Sequence, residues 1–167
     1  MGSATIQAVE FAKRALDATP AADRLETGRE LFAAGGAIAG SSSLRTALAD
    51  GSAPAAAKIA VVDRVFASLS AATRAVLTAV VSVRWSNRDD LVDGIEQLAV
   101  RSVAASAPAS VSISSELAAF GAAVSSDPNL EYAVGSARGS GADKASVVTK
   151  LLTGKAAVQT VEILSNV

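Results

Sequence analysis

Apolar residues return every three or four positions along most of this chain, in short stretches punctuated by Ser, Gly and Pro. That rhythm predicts a series of amphipathic helices. Ile6, Val9, Ala12, Lys13 and Leu16 form one narrow stripe, which predicts a helix over about 4–18 with Ser3 or Thr5 near its cap and Pro20 ending it. A second helix over 21–39 carries Leu25, Leu31, Phe32 and Ile38. Gly35 and Gly36 weaken its interior by about 1 kcal/mol each relative to Ala, so their presence points to close helix–helix approach. Ser41, Ser42 and Ser43 break this helix and cap a short one over 44–49, which Asp50 and Gly51 stop. Ser52 followed by Ala53 and Pro54 reads as a cap with proline in the first turn.

The fourth helix then presents Ile59, Val62, Phe66 and Leu69. Ser70 caps a fifth, with Val76, Leu77, Val80, Val81 and Arg84. Trp85, Ser86 and Asn87 make a turn, and Arg88, Asp89 and Asp90 open a sixth helix striped by Leu91, Ile95, Leu98 and Val103. The Ser-rich stretch 106–115, with Pro108, is a joint. Val111 and Ile113 alternate with serines there as a strand would, but the internal repeat places the segment at the start of a helix. It is expected to be extended or loop until about 114. Helices follow over about 115–125, 128–134, 143–152 and 156–165, with 135–141 as a flexible turn.

The repeat emerges when the chain is slid against itself by 86 residues without a gap. Glu30 and Leu31 then fall on Glu116 and Leu117, Gly35 on Gly121, Ile38 on Val124, Leu44 on Leu130 and Leu48 on Val134. Lys58 meets Lys144, Val61 and Val62 meet Val147 and Val148, and Leu77 meets Ile163. The first helix falls on the sixth, Ile6 on Val92 and Val9 on Ile95. The fold expected is therefore all-α: a six-helix N-terminal bundle over 1–105, then a second, incomplete copy of the same helical unit over 106–167. The sixth helix, about 88–105, is shared between the copies, and the second lacks a closing helix of its own. Repeats of this kind build scaffolds and binding surfaces.

Composition narrows the chemistry. Half of the 167 residues are apolar but only 4% are aromatic, so the core must be made of Ala, Val, Leu and Ile. The net charge is −1 with both signs interspersed, which leaves no electrostatic footprint for nucleic acid. Cysteine is absent, excluding disulfides and thiolate metal sites. The longest uncharged stretches, 31–44 and 102–115, fall short of the roughly 20 residues of a membrane-spanning helix, and no signal peptide is evident. A soluble protein with no direct membrane insertion is expected.

Histidine is also absent, which removes the commonest general base. Gly135, Gly139, Gly141 and Lys144 superficially suggest a phosphate loop. The lysine does not follow the last glycine and no strand precedes the loop, so a helix–helix turn is the better reading. Asp89 and Asp90 point about 100° apart on a helix and complement its dipole rather than bind one ion. No cofactor, metal or catalytic residue is expected. Trp85 is either a plug over a helix end or a partner anchor. The stripes on the first and fifth helices leave the same choice between core and a groove for a partner's amphipathic helix.

Val81-Ser82-Val83-Arg84-Trp85-Ser86-Asn87-Arg88-Asp89-Asp90-Leu91, running on through Ile95 and Leu98, resembles the delta subunit of bacterial F-type ATP synthase in its actinobacterial form. Glu30-Leu31-Phe32-Ala33-Ala34, Leu44-Arg45-Thr46-Ala47-Leu48-Ala49-Asp50 and Lys58-Ile59-Ala60-Val61-Val62-Asp63-Arg64 fit the same family, whose mitochondrial relative is the oligomycin-sensitivity-conferring protein. The resemblance covers nearly the whole chain. It implies a non-catalytic peripheral-stalk, or stator, subunit at the cytoplasmic face of the plasma membrane, linking the catalytic head to the membrane sector. It further implies that a groove between the first and fifth helices holds the N-terminal helix of an alpha subunit. Carried over, Ile6, Val9, Lys13 and Leu16 would form one wall and Val76, Val80, Val83 and Arg84 the other. The family's strand-containing C-terminal domain, which meets the b subunits, would follow residue 167. The alternative is a generic all-helical adaptor or scaffold that binds a partner helix; a helical enzyme or ligand-binding bundle would need a deep polar cavity.

Overall fold

The computed structural model describes residues 2–135 and 141–167, and among these every regular element is helical. The chain divides into two compact units, Met1–Ala105 and Ser106–Val167.

The first unit holds α1 (Ser3–Asp17), α2 (Arg24–Ala39), α3 (Ser42–Ala49), α4 (Ala55–Val65), α5 (Ala71–Ser82) and α6 (Arg88–Ala105). Pro20 turns the backbone extended after α1, and a single 3-10 turn, Ala21–Asp23, leads into α2. Ser41 and Ser70 act as caps, their hydroxyls accepting from the Leu44 and Thr73 N–H groups. Ser52 does not cap α4: Pro54 occupies that position, and the Ser52 hydroxyl donates instead to Asp50 at 2.6 Å. Neither Ser3 nor Thr5 caps α1, whose N-cap is Gly2.

Thr5 faces inward. Its N–H donates to Ser86 Oγ at 3.3 Å and its hydroxyl reaches the Asp90 carboxylate, which ties the start of α1 to the α5–α6 turn. Asp90 therefore has a structural partner, and Asp89 pairs with Arg45 at 3.6 Å.

The core of this unit lies where α6 packs along α2 and α1 packs on α5 and α6. Leu31, Ile38, Leu48, Val62, Leu77, Leu91, Ile95, Leu98 and Val103 are at most 1% exposed. Close approach is written in glycine. A Cβ on Gly28 would stand 2.4 Å from Val103 Cγ2 and 3.0 Å from its backbone N, and one on Gly35 would stand 3.3 Å from Ile95 Cγ2. Gly36 is different, facing open space. Trp85 is the plug: it is 5% exposed, its Nε1 donates to the Val80 carbonyl at 2.8 Å, and its ring lies where a Cβ on Gly94 would fall. The indole thereby satisfies a carbonyl that the end of α5 leaves without a helical partner.

The second unit contains α7 (Ile113–Ser126), α8 (Pro128–Gly135), α9 (Gly141–Leu152) and α10 (Val158–Asn166). The alternation at Val111 and Ile113 does not become a strand, because Ser112 caps α7 by accepting from the Ser115 N–H. The turn expected over 135–141 lies mostly outside the described residues. Here only Val148 and Ile163 are buried among the described large apolar side chains, and α7 has no buried residue.

Each unit contains a glutamate that reaches across to a helix N-terminus. Ser70 N–H donates to both Glu30 carboxylate oxygens (3.0 and 3.1 Å), Ser70 Oγ donates at 2.6 Å, and the Thr73 hydroxyl adds another bond. Glu116 likewise accepts from the Ala157 N–H at 3.0 Å and from the Thr160 hydroxyl.

Burial alone would raise the Glu30 pKa. The hydrogen bonds from the Ser70 and Thr73 side chains and the Ser70 backbone outweigh it and hold the carboxyl below its ordinary 4.5. A depressed folded pKa means stabilisation that is present above about 4.5 and lost as pH falls through the folded value. Glu30→Gln should therefore lower stability at neutral pH by roughly 1 kcal/mol, a partly exposed cluster being screened by solvent. Its denaturant midpoint should also lose the wild-type fall below that pH. An unchanged acid limb in the variant would remove Glu30 from this role.

Candidate partner-helix interface

The eight residues expected to line a groove between α1 and α5 do not share one surface. On α1, Thr5, Ala8, Val9, Ala12 and Leu16 form the buried stripe. Helical geometry puts Ile6 and Lys13 on one flank of that stripe and Ala4, Phe11 and Ala15 on the other.

Val9 and Leu16 are only 6% and 5% exposed, and Val76 and Val80 have no exposed surface. These four are core, and in this conformation Val76 and Val80 cannot meet a partner. Lys13 and Leu16 border a hollow of about 340 Å³ on the α6 side, with Asp17, Arg24 and Arg101. Ile6 stands exposed at 55%. Val83 and Arg84 come together just past the end of α5, and their companions are Ala4, Gln7, Ala8 and Phe11 around a separate, shallow hollow of about 400 Å³.

Phe11 is the residue that stripe reasoning passed over. It is 44% exposed, a large aromatic surface on a helix whose apolar stripe faces elsewhere. The available signal was its place one turn beyond Gln7 and outside the stripe; an aromatic in a chain with so few is informative when the core does not claim it. With Arg84 beside it, the hollow joins an apolar floor of Ala4, Ala8 and Val83 to one aromatic wall and one cationic rim. That arrangement suits apolar anchors of an amphipathic helix followed by an acidic or polar edge. Among the described residues no group of three or more His, Cys, Asp or Glu is placed to hold a metal ion, and no helix is long and apolar enough to cross a membrane.

The chain is 46% identical over 163 residues to the ATP synthase subunit delta of Leifsonia xyli, a match that takes in 98% of this chain and 62% of that protein. It is 36% identical over 145 residues to the subunit delta of Nocardia farcinica, covering 84% of this chain and 54% of the relative. The Thermobifida fusca subunit delta matches at 32% over 160 residues, 93% of this chain and 60% of the relative. No protein-family model matches the chain. It spans little more than half to three-fifths of the length of these relatives. Its helical architecture, the motif around Trp85 and these matches across nearly its whole length make the chain similar to the ATP synthase delta subunits of actinobacteria.

Proposed function

We propose that the chain serves as a non-catalytic peripheral-stalk subunit of F-type ATP synthase, peripheral at the cytoplasmic face of the plasma membrane, and that its first unit grips the N-terminal helix of an alpha subunit. The observation that carries the role is the run of relatives sharing one name across almost all of this chain, which favours it over a generic helical adaptor. The site proposed is the hollow of Ala4, Gln7, Ala8, Phe11, Val83 and Arg84; it keeps Val83 and Arg84 from the sequence reading, leaves Ile6 on the opposite flank of α1, and has Val76 and Val80 in the core. Contact with b subunits is assigned to polypeptide outside residues 1–167.

A stator must stay attached while torque acts on the catalytic head, so slow dissociation matters more than fast encounter. A pre-formed apolar hollow meets that need, because it loses little to salt and demands little ordering on binding. Calorimetry with a peptide of the alpha-subunit N-terminus should show saturable binding. Phe11→Asp should weaken it by about tenfold or more, the expected effect of losing an aromatic anchor, while helical circular dichroism stays unchanged. No saturable heat at high micromolar peptide would overturn the proposal.

We also propose that residues 106–167 are an incomplete second copy of the first unit, with α6 closing the first copy and opening the second. The matched carboxylate clamps of Glu30 and Glu116 support this. They pair Ser70 with Ala157 and Thr73 with Thr160, one residue beyond the gapless offset, so one residue has been added between Glu116 and Ala157. In that register Val76, fully buried, answers to Ile163, which is 4% exposed.

A further inference from the structure

The two units treat equivalent positions differently. Leu31 on α2, Leu48 on α3 and Leu77 on α5 are at most 1% exposed, and all three helices meet α6. Their counterparts Leu117 on α7, Val134 on α8 and Leu164 on α10 are only half-buried. Gly35 would bring a Cβ to 3.3 Å from Ile95 of α6, whereas a Cβ on Gly121 would meet nothing within 4 Å. Three helices of the second unit thus carry apolar residues less covered than their first-unit counterparts, and Gly121 stands in open space where Gly35 meets α6. The relatives carry substantial further sequence, since this chain covers 62% of the Leifsonia xyli protein.

From this we infer that the face formed by α7, α8 and α10 around Gly121 is the seat of a closing helix of α6's kind, supplied by polypeptide that follows Val167 in the longer protein. The occupant is set by the pattern of the first unit, where α6 begins a short loop after α5 ends and runs back over α2. A segment a short loop past α10 reaches the Gly121 face in the same way. It should carry a β-branched or other compact apolar residue at the position that meets the glycine, as Ile95 does, because a glycine notch accepts a side chain and rejects a second bulky contact. Covering this face would enlarge the core of the second unit, in which Val148 and Ile163 are the buried large apolar side chains among the described residues.

This rests on the reading of 106–167 as an incomplete copy, and its test is separate from the peptide-binding test, which reads the first unit. The chain has no cysteine, so Gly121→Cys introduces a single thiol. Its maleimide modification rate is measured in the 167-residue chain and in the same chain fused at Val167 to the part of the Leifsonia xyli protein beyond the matched region. Gly36→Cys, on an open face of α2, serves as the control in both. The expected result is fast labelling at 121 in the short chain, at least tenfold slower labelling in the fusion, and no change at 36. Equal labelling at 121 in both proteins would overturn the inference. So would protection in the short chain that grows with protein concentration, which would make a second copy the occupant. Lost peptide binding with protection at 121 intact would sink the partner proposal alone.

Discussion

Val80→Asp is expected to unfold the first unit rather than weaken a binding surface. Val80 has no exposed surface, it sits between α5 and the helices packed on it, and its carbonyl accepts the Trp85 indole N–H. A carboxylate there would lose its hydration without gaining a partner, a penalty of about 4 kcal/mol or more. Small domains have only about 5–15 kcal/mol in total. Thermal unfolding followed by circular dichroism and by Trp85 emission should show a greatly lowered midpoint, with the indole exposed at temperatures where the wild type is folded. The contrast with Phe11→Asp is diagnostic, since that side chain is at the surface, 44% exposed, and its loss should cost at most about 1 kcal/mol of stability. If Val80→Asp kept a native midpoint and only peptide affinity fell, Val80 would belong to an accessible groove after all.

Gly28→Val should be comparably damaging through a different mechanism. The added Cβ would lie 2.4 Å from Val103 Cγ2, 3.0 Å from Val103 N and 3.1 Å from the Ala99 carbonyl oxygen. Two of those atoms are backbone and cannot rotate away, so α2 and α6 must separate along their longest shared contact. Overpacking of this kind costs about 3 kcal/mol, which for a unit of this size lowers the thermal midpoint by roughly 15 °C. Gly36→Ala, on the open side of the same helix, should instead raise stability by about 1 kcal/mol through helix propensity alone. The pair separates close approach from propensity, because both changes add side-chain atoms to glycine in one helix. A Gly28→Val protein as stable as the wild type would mean that α2 and α6 do not approach as described.

The contrast bears on how the unit could act as a mechanical grip. A surface that must hold a partner helix under load needs a backing that does not yield. Here the hollow of Phe11, Val83 and Arg84 is backed by Ala8 and by the buried α1 and α5 residues, themselves held by α6. Close-packed small residues give such a backing low compressibility. The Thr5, Ser86 and Asp90 bonds fasten α1 near the same end.

Helix existence and order were legible from the chain alone, because Ser41, Ser70 and Pro20 act locally and apolar spacing survives any tertiary arrangement. The serines also decided the 106–115 joint, where Ser112 captures the Ser115 N–H and begins a helix at Ile113, two residues before the expected start and in place of the strand the alternation imitated. The inward side of α1 was legible in Val9, Ala12 and Leu16, but its edges were not. In a core built from small residues, Thr5 and Ala8 fill the close approach while the larger Ile6 is left outside, so hydrophobicity stops marking the interior. Gly28 and Gly94 carried no sequence signal for the same reason: their meaning lies in Val103 and Trp85, residues distant or on another element. Local capping and periodicity are properties of neighbours along the chain and are therefore fixed by sequence. The choice of core over surface for Val80, the joining of Phe11 with Val83 and Arg84, and the open face at Gly121 depend on which helices come within van der Waals reach, and only the tertiary packing decides that.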